Sequence, residues 1–178
     1  MLQKSSIEKV LELFFNFPTK VFTLKEVSSR VKIAHTSVKK NLQDLAKHGL
    51  VQISSDKKGK RKFTIYKANA GGLFRNYKKI YNLSLLTESG IIEHIRNRIM
   101  PKSIILFGSY SRGEDDETSD IDIFVEAKQE KIDTSKFEKK LCRKIQLHFN
   151  PDFKSYSSEL KNNIINGTVL YGFLEGFK

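Results

Sequence analysis

The sequence predicts an α+β protein of two domains: three helices and a β-hairpin first, then an α/β domain with a short mixed sheet. Three observations carry that prediction. Apolar residues repeat at helical spacing through the first fifty positions and then change to alternation on either side of "DKKGKR". Charge is divided unevenly: residues 1–86 hold 18 Lys/Arg against 5 Asp/Glu, or +13, and residues 87–178 hold 14 against 15, or −1. Two apolar runs, "SIILF" and "IDIFV", flank a dense charged patch and are too short to be helices. The boundaries expected are 1–69 for the basic domain, 70–99 for connecting helices and 100–178 for the second domain.

The bulk composition narrows the class. Of 178 residues, 39% are hydrophobic and 11% aromatic, enough for packed cores and too apolar for a disordered chain. The single cysteine, Cys142, excludes an internal disulfide. No apolar run approaches the about 20 residues needed to span a bilayer. Charge interrupts "MLQKSSIEKVLELFFNF" every few residues, so it does not read as a secretory signal. A soluble cytoplasmic protein with no membrane partner is expected. The excess of +13 in the first half suits a polyanion as partner, although a Lys-rich composition produces the same number.

In "SSIEKVLELFFNF", Ile7, Val10, Leu11, Phe14 and Phe15 share one helical face; Ser5 or Ser6 caps it and Pro18 stops it. "VFTLKEVSSRV" gives a short extended piece and then a capping box, with Thr23 as N-cap and Glu26 three residues on. After a turn near Lys32–Ala34, Val38, Leu42 and Leu45 form the stripe of a third helix, which Gly49 is placed to end. "LVQISS" and "KFTIYKA" alternate as strands, joined by a basic turn with a glycine. This order and "HTSVKKNLQDLAKHGLV" resemble the winged helix-turn-helix family over residues 5–68. The resemblance implies that the third helix enters the major groove and the hairpin follows the backbone. His35, Thr36, Ser37, Lys39, Lys40 and Asn41 lie off the apolar stripe and are candidates to face DNA. Lys57, Lys58, Lys60, Arg61 and Lys62 are candidates for phosphates, which set affinity rather than sequence choice. A winged fold used only for protein contacts is the competing reading.

Past Gly71-Gly72, Leu73, Tyr77, Ile80 and Tyr81 repeat at helical spacing, so a helix is expected in the connector rather than a loose linker. "TESGIIEHIRNRIM" predicts another amphipathic helix, ended by Pro101. "SIILF", wholly apolar, predicts a strand buried on both faces. Gly108 and Ser109 follow at once; a glycine here lets backbone approach a ligand, and a helix starting here directs free amides at an anion. On the next strand Asp120 and Asp122 are two apart and share a face, opposite Ile121, Ile123 and Val125. Carboxylates in that setting ask for a cation, and two oxygen donors suit Mg2+.

"FGSYSRGEDDETSDIDIFV" resembles the motif of the polymerase-β-like nucleotidyltransferases at Gly108, Ser109, Arg112, Gly113, Ser119, Asp120 and Asp122. It is most similar to the minimal nucleotidyltransferases of prokaryotes, some of which carry an N-terminal winged helix. The resemblance covers about residues 100–172, "NIINGTVLYG" included. It implies that Asp120 and Asp122 hold Mg2+, that Gly108, Ser109 and Arg112 bind ATP or another nucleoside triphosphate, and that Asp120, Asp122 and Arg112 serve catalysis. The rival motifs fail: there is no Gly-Lys-Ser/Thr of a P-loop, and a calcium loop from Asp115 or Asp116 lacks its glycine. An acidic surface loop accounts for "EDDET" but not for carboxylates set among Ile, Phe and Val.

The resemblance also implies a third carboxylate on a later strand, and there the sequence departs from the pattern. In "KIQLHF" the position is Gln146, which cannot accept a proton near neutral pH. His148, two residues on and on the same face, is a substitute base or simply a structural residue. Two function classes stay open. In one, a nucleotidyl group passes to a protein hydroxyl, by family analogy a tyrosine of a HEPN-type toxin, which makes the protein antitoxin-like. In the other, a weakened transferase domain serves a DNA-binding regulator or nucleotide sensor. A homodimer is expected because winged helices that bind DNA commonly pair.

Overall fold

The computed structural model describes residues 4–58 and 61–175, the side chains of Lys58, Arg61 and Lys154 excepted. The chain divides into two units, Met1–Tyr77 and Lys78–Lys178. Among the described residues there are eight α-helices and two small sheets. None of the helices is long and apolar enough to cross a membrane.

The first unit runs α1 (Ser6–Asn16), β1 (Val21–Thr23), α2 (Leu24–Val31), α3 (His35–Lys47), β2 (Val51–Lys58) and β3 (Arg61–Ala68). Local chemistry sets these boundaries. Ser5 is the N-cap of α1: its amide donates to the Glu8 carboxylate at 2.7 Å while its hydroxyl accepts from the Glu8 amide. Thr23 and Glu26 repeat the arrangement at α2, as their spacing predicts. α3 closes on a Schellman motif. The Leu50 amide donates to the Leu45 carbonyl at 2.9 Å and the Gly49 amide to that of Ala46 at 3.0 Å, with Gly49 at φ +70°.

The strands pair antiparallel in the order β1-β3-β2, and the hairpin register sets Lys57 opposite Lys62. The helices bury Val10, Phe14, Val27, Val38 and Leu42 completely, and Phe14 meets Phe22 edge-on at 5.6 Å. Each such side chain contributes roughly 1.5–3 kcal/mol of transfer free energy, which holds together helices too short to persist alone.

α4 (Gly72–Ser89) begins in the first unit and continues into the second. The helix expected over "TESGIIEHIRNRIM" is divided: Thr87–Ser89 finish α4, Gly90 takes φ +83°, and α5 (Ile91–Ile99) starts after it. A residue with a Cβ resists that left-handed conformation, so glycine permits the break.

Then come β4 (Ser103–Phe107), α6 (Gly108–Arg112), β5 (Ile121–Val125), α7 (Ser135–Leu141), β6 (Ile145–Phe149), a 3-10 turn at Phe153–Ser155, α8 (Ser158–Ile165) and β7 (Thr168–Gly172). The sheet order is β6-β5-β4-β7, with β5 and β6 parallel and the other pairs antiparallel. This is the mixed sheet expected. Alternation gives it two unlike faces. One presents Ile104, Leu106, Ile121, Ile123, Val125 and Ile145 to a core with α5 and α7. The other carries Ile105, Phe107 and Phe124, which pack with Phe153 and Ile164. Asp122 and Gln146 share this second face, beyond the edge of that apolar cluster.

Candidate functional site

The site begins where β4 stops. Its last residue, Phe107, registers with Asp122 on β5, and Asp122 registers with Gln146 on β6. Gly108 turns the chain out of the sheet at φ +75° and starts α6. A Cβ at Gly108 would lie 2.5 Å from Asp122 Oδ2. Glycine is thus required twice, for its dihedral and for the space the carboxylate occupies. The turn therefore adjoins Asp122.

Both carboxylates are engaged by β6. Gln146 Nε2 donates to Asp120 Oδ2 at 2.5 Å, and His148 Nε2 lies 3.2 Å from Asp122 Oδ1. The His148 ring also meets the Phe107 ring edge-on at 5.1 Å between centroids, which fixes its orientation. Asp120, Asp122 and His148 are partly exposed and Gln146 exposed, so a ligand can reach all four. Arg112, half-exposed, donates from Nε to Glu114 at 2.8 Å. Gly108, Asp120, Asp122, Gln146 and His148 therefore form one constellation, with Ser109 and Arg112 on the helix that leaves it.

Asp122 lies on β5, but Asp120 stands one residue before that strand rather than on it as expected; the two carboxylates fit a single Mg2+ that draws its other ligands from water and a phosphate. They do not fit a cation held by protein alone. Among the described residues no group of three or more His, Cys, Asp or Glu is arranged to hold a metal. Gln146, registered with Asp122 on β6, offers an amide there and not a third carboxylate.

The loop from α6 to β5 is where sequence reasoning missed most. "EDDET" reads as a solvated acidic patch, yet Asp115 is 2% exposed. Lys78 Nζ and Arg143 Nη2 each lie 3.1 Å from its carboxylate, and Asn82 Nδ2 donates to it at 2.8 Å. Burial pulls the Lys78 ammonium below its ordinary range, and Asp115 opposes that pull. Burial first, and then the Asp115 charge, pushes the Tyr110 phenol well up. Asp116 turns the other way. Its carboxylate accepts from the Thr118 hydroxyl and amide and from Ser119, which hold its pKa down at about 2. No local pattern marks Asp115 as the buried one, because its partners lie 37, 33 and 28 residues away.

In the first unit, His35, Thr36, Ser37, Lys39 and Lys40 are exposed on α3, and Lys57 and Lys62 on the hairpin. Asn41 corrects the expectation made for it. It is 8% exposed, and its amide donates to Ser6 Oγ at 3.1 Å, so it ties α3 to α1 rather than facing outward. Lys60 lies outside the described residues, as do the side chains of Lys58 and Arg61.

The family model described as a nucleotidyltransferase domain matches residues 89–171, which contain the Gly-Ser turn, both aspartates and β6. A solved structure of a possible transcriptional regulator from Methanosarcina mazei Go1 is similar at 18% identity. It covers 54% of this chain and 79% of that one, with a TM-score of 0.38. No curated protein matches the chain.

Proposed function

We propose that residues 78–178 bind a nucleoside triphosphate with Mg2+ at Asp120 and Asp122 and pass its nucleotidyl group to a hydroxyl. One observation carries this reading: Asp120 just before β5 and Asp122 on it are both met from β6, by Gln146 and His148, with the backbone of the Gly-Ser turn against Asp122. Asp120 and Asp122 hold the cation, and Gly108, Ser109 and the first amides of α6 receive phosphate oxygens, with Arg112 at the end of that helix. Mg2+, when bound, supplies charge neutralisation to the triphosphate and to the leaving oxygens. His148, whose Nε2 lies 3.2 Å from Asp122 Oδ1, is the candidate to take a proton from an attacking hydroxyl, on its other ring nitrogen. The acceptor fitting the family analogy is a tyrosine on a HEPN-type toxin partner. The exposed His35–Lys40 face of α3 and the hairpin lysines support DNA as the partner of a winged helix in the first unit, with the protein acting as a homodimer.

A second reading keeps the binding and drops the turnover. Gln146 favours it, because an amide cannot act as base and leaves the cation with two anionic ligands. Two measurements test the site and then separate the readings. Calorimetry with MgATP on wild type and on the Asp120→Asn, Asp122→Asn double variant should show binding lost in the variant with its fold retained. Unchanged binding overturns the site. Labelled ATP, Mg2+ and the toxin partner then report transfer. If wild type binds without transferring and Gln146→Glu begins to transfer, the second reading holds for the natural chain.

A further inference from the structure

We propose that Arg143 and Asn82 are positioning residues that, with the buried Lys78–Asp115 pair, set the place of Asp120 relative to the phosphate-binding turn. The proposal rests on the Mg-nucleotide reading above and concerns residues outside the site's motif.

The argument starts from a problem of chain geometry. The two halves of the site are separated by seven residues, Gly113 to Ser119, none of them in a helix or a strand. A loop of that kind, rich in carboxylates, ordinarily wanders in solvent. Here it is gripped at three points. Asn82, on α4, donates both to the Tyr110 carbonyl in α6, at 3.0 Å, and to Asp115 in the loop, at 2.8 Å. One side chain thereby fixes the turn helix to the loop. Lys78, one helical turn earlier, pairs with the same carboxylate and also donates to the Asp115 carbonyl.

Arg143 makes the third grip, from the connection between α7 and β6. One nitrogen of its guanidinium takes Asp115, and another takes the carbonyls of Asp116 and of Ser119, the latter at 3.1 Å. Ser119 precedes Asp120. On the far side, the Ile121 amide donates to the Lys144 carbonyl at 2.9 Å. Arg143 and Lys144 therefore hold the backbone on both sides of Asp120. Lys78 and Asp115 are each 1% exposed at the side chain and Arg143 9%, so these bonds are shielded from competing water. The planar fork of Arg143 serves several acceptors at fixed angles, which a lysine cannot reproduce. A shift of Asp120 by about an ångström would separate it from a cation shared with phosphates on the turn, and misplacement of that size lowers productive binding by up to about a hundredfold.

Arg143→Lys is the main test, because it keeps a cation beside Asp115 while removing the fork. Amides of residues 113–121 are expected to exchange hydrogen about tenfold faster than in wild type, with those of β4 and α5 unchanged. MgATP affinity should fall about tenfold or more, while ATP without metal binds as before. Methylguanidine, below denaturing concentrations, should restore affinity to Arg143→Ala and leave Arg143→Lys unaffected. A purely structural arginine would show none of this metal dependence. Should Arg143→Lys fail to fold, Asn82→Ala leaves both cations on Asp115 and carries the same test. Wild-type exchange in 113–121, or MgATP affinity equal to wild type, overturns the proposal. If wild type itself binds no MgATP, the functional reading fails. Hydrogen exchange then decides the anchoring alone: faster exchange supports it and unchanged exchange overturns it.

Discussion

At Gly108 a single hydrogen atom separates a working site from an obstructed one. The residue sits at φ +75°, and an added Cβ would stand 2.5 Å from Asp122 Oδ2. The left-handed backbone alone costs alanine about 1–2 kcal/mol. The steric conflict is with the tip of a side chain, which can rotate away, so Gly108→Ala should fold with a lowered melting temperature. The tip that must move is the candidate metal ligand, however. Gly108→Ala should therefore lose far more MgATP affinity than its stability loss suggests. A thermal melt and a calorimetric titration on the same sample check this; wild-type affinity in a protein melting several degrees lower would show that Asp122 takes no part in binding. The Asp-x-Asp spacing marks this pair in the sequence, although the strand expected to carry both begins one residue after Asp120. The burial of Asp115 is not legible, because its partners come from α4 and the α7–β6 connection and nothing local distinguishes it from Asp116. Asn41 deceives by its polarity: at i+3 from Val38 and i−4 from Leu45 it lies on the buried face of α3, where its amide meets Ser6.

At the scale of elements, the capping boxes make the clearest case of sequence dictating structure. Ser5 with Glu8 and Thr23 with Glu26 each place an acceptor three residues after a hydroxyl, and each starts a helix where the spacing says it should. The Glu26 carboxylate is held below its ordinary range, first by the Thr23 amide and then by the Thr23 hydroxyl. Folding lowers this pKa, so the contribution to stability is complete above the ordinary carboxylate range, near pH 4–5. It is lost as pH falls through the lower folded value. Thr23→Ala should cost about 1 kcal/mol at neutral pH and less as the solution is acidified toward that value. Denaturant melts of wild type and variant at neutral pH and near pH 3 check this. A difference that grows on acidification would contradict the box. The break at Gly90 is less legible, since a glycine inside a periodic apolar stretch is compatible with a continuous helix and only its positive φ reveals the division.

For the whole molecule, the deciding feature is the separation of charge along the chain. Residues 1–86 carry +13 and residues 87–178 carry −1. An excess of that size suits a polyanion as partner. The DNA proposed as partner of the exposed His35–Lys40 face and the hairpin lysines is tested by its response to salt. Each phosphate neutralised should add about 0.9 to the slope of log affinity against log salt. Lys57 and Lys62 stand opposite one another on β2 and β3 and are both exposed. Changing each to alanine should lower the slope by about 0.9 and weaken binding alike on every DNA sequence. Lys40, on α3, should behave differently if its helix reads base edges: Lys40→Ala should weaken binding to a selected site more than to random DNA. Fluorescence anisotropy over a salt series, with selected and random duplexes, measures both effects. If the intact protein has no DNA affinity even at low salt, the basic half serves another partner. If affinity is present but Lys57→Ala and Lys62→Ala leave the slope unchanged, the hairpin does not follow the phosphates and the contact lies elsewhere on the basic unit.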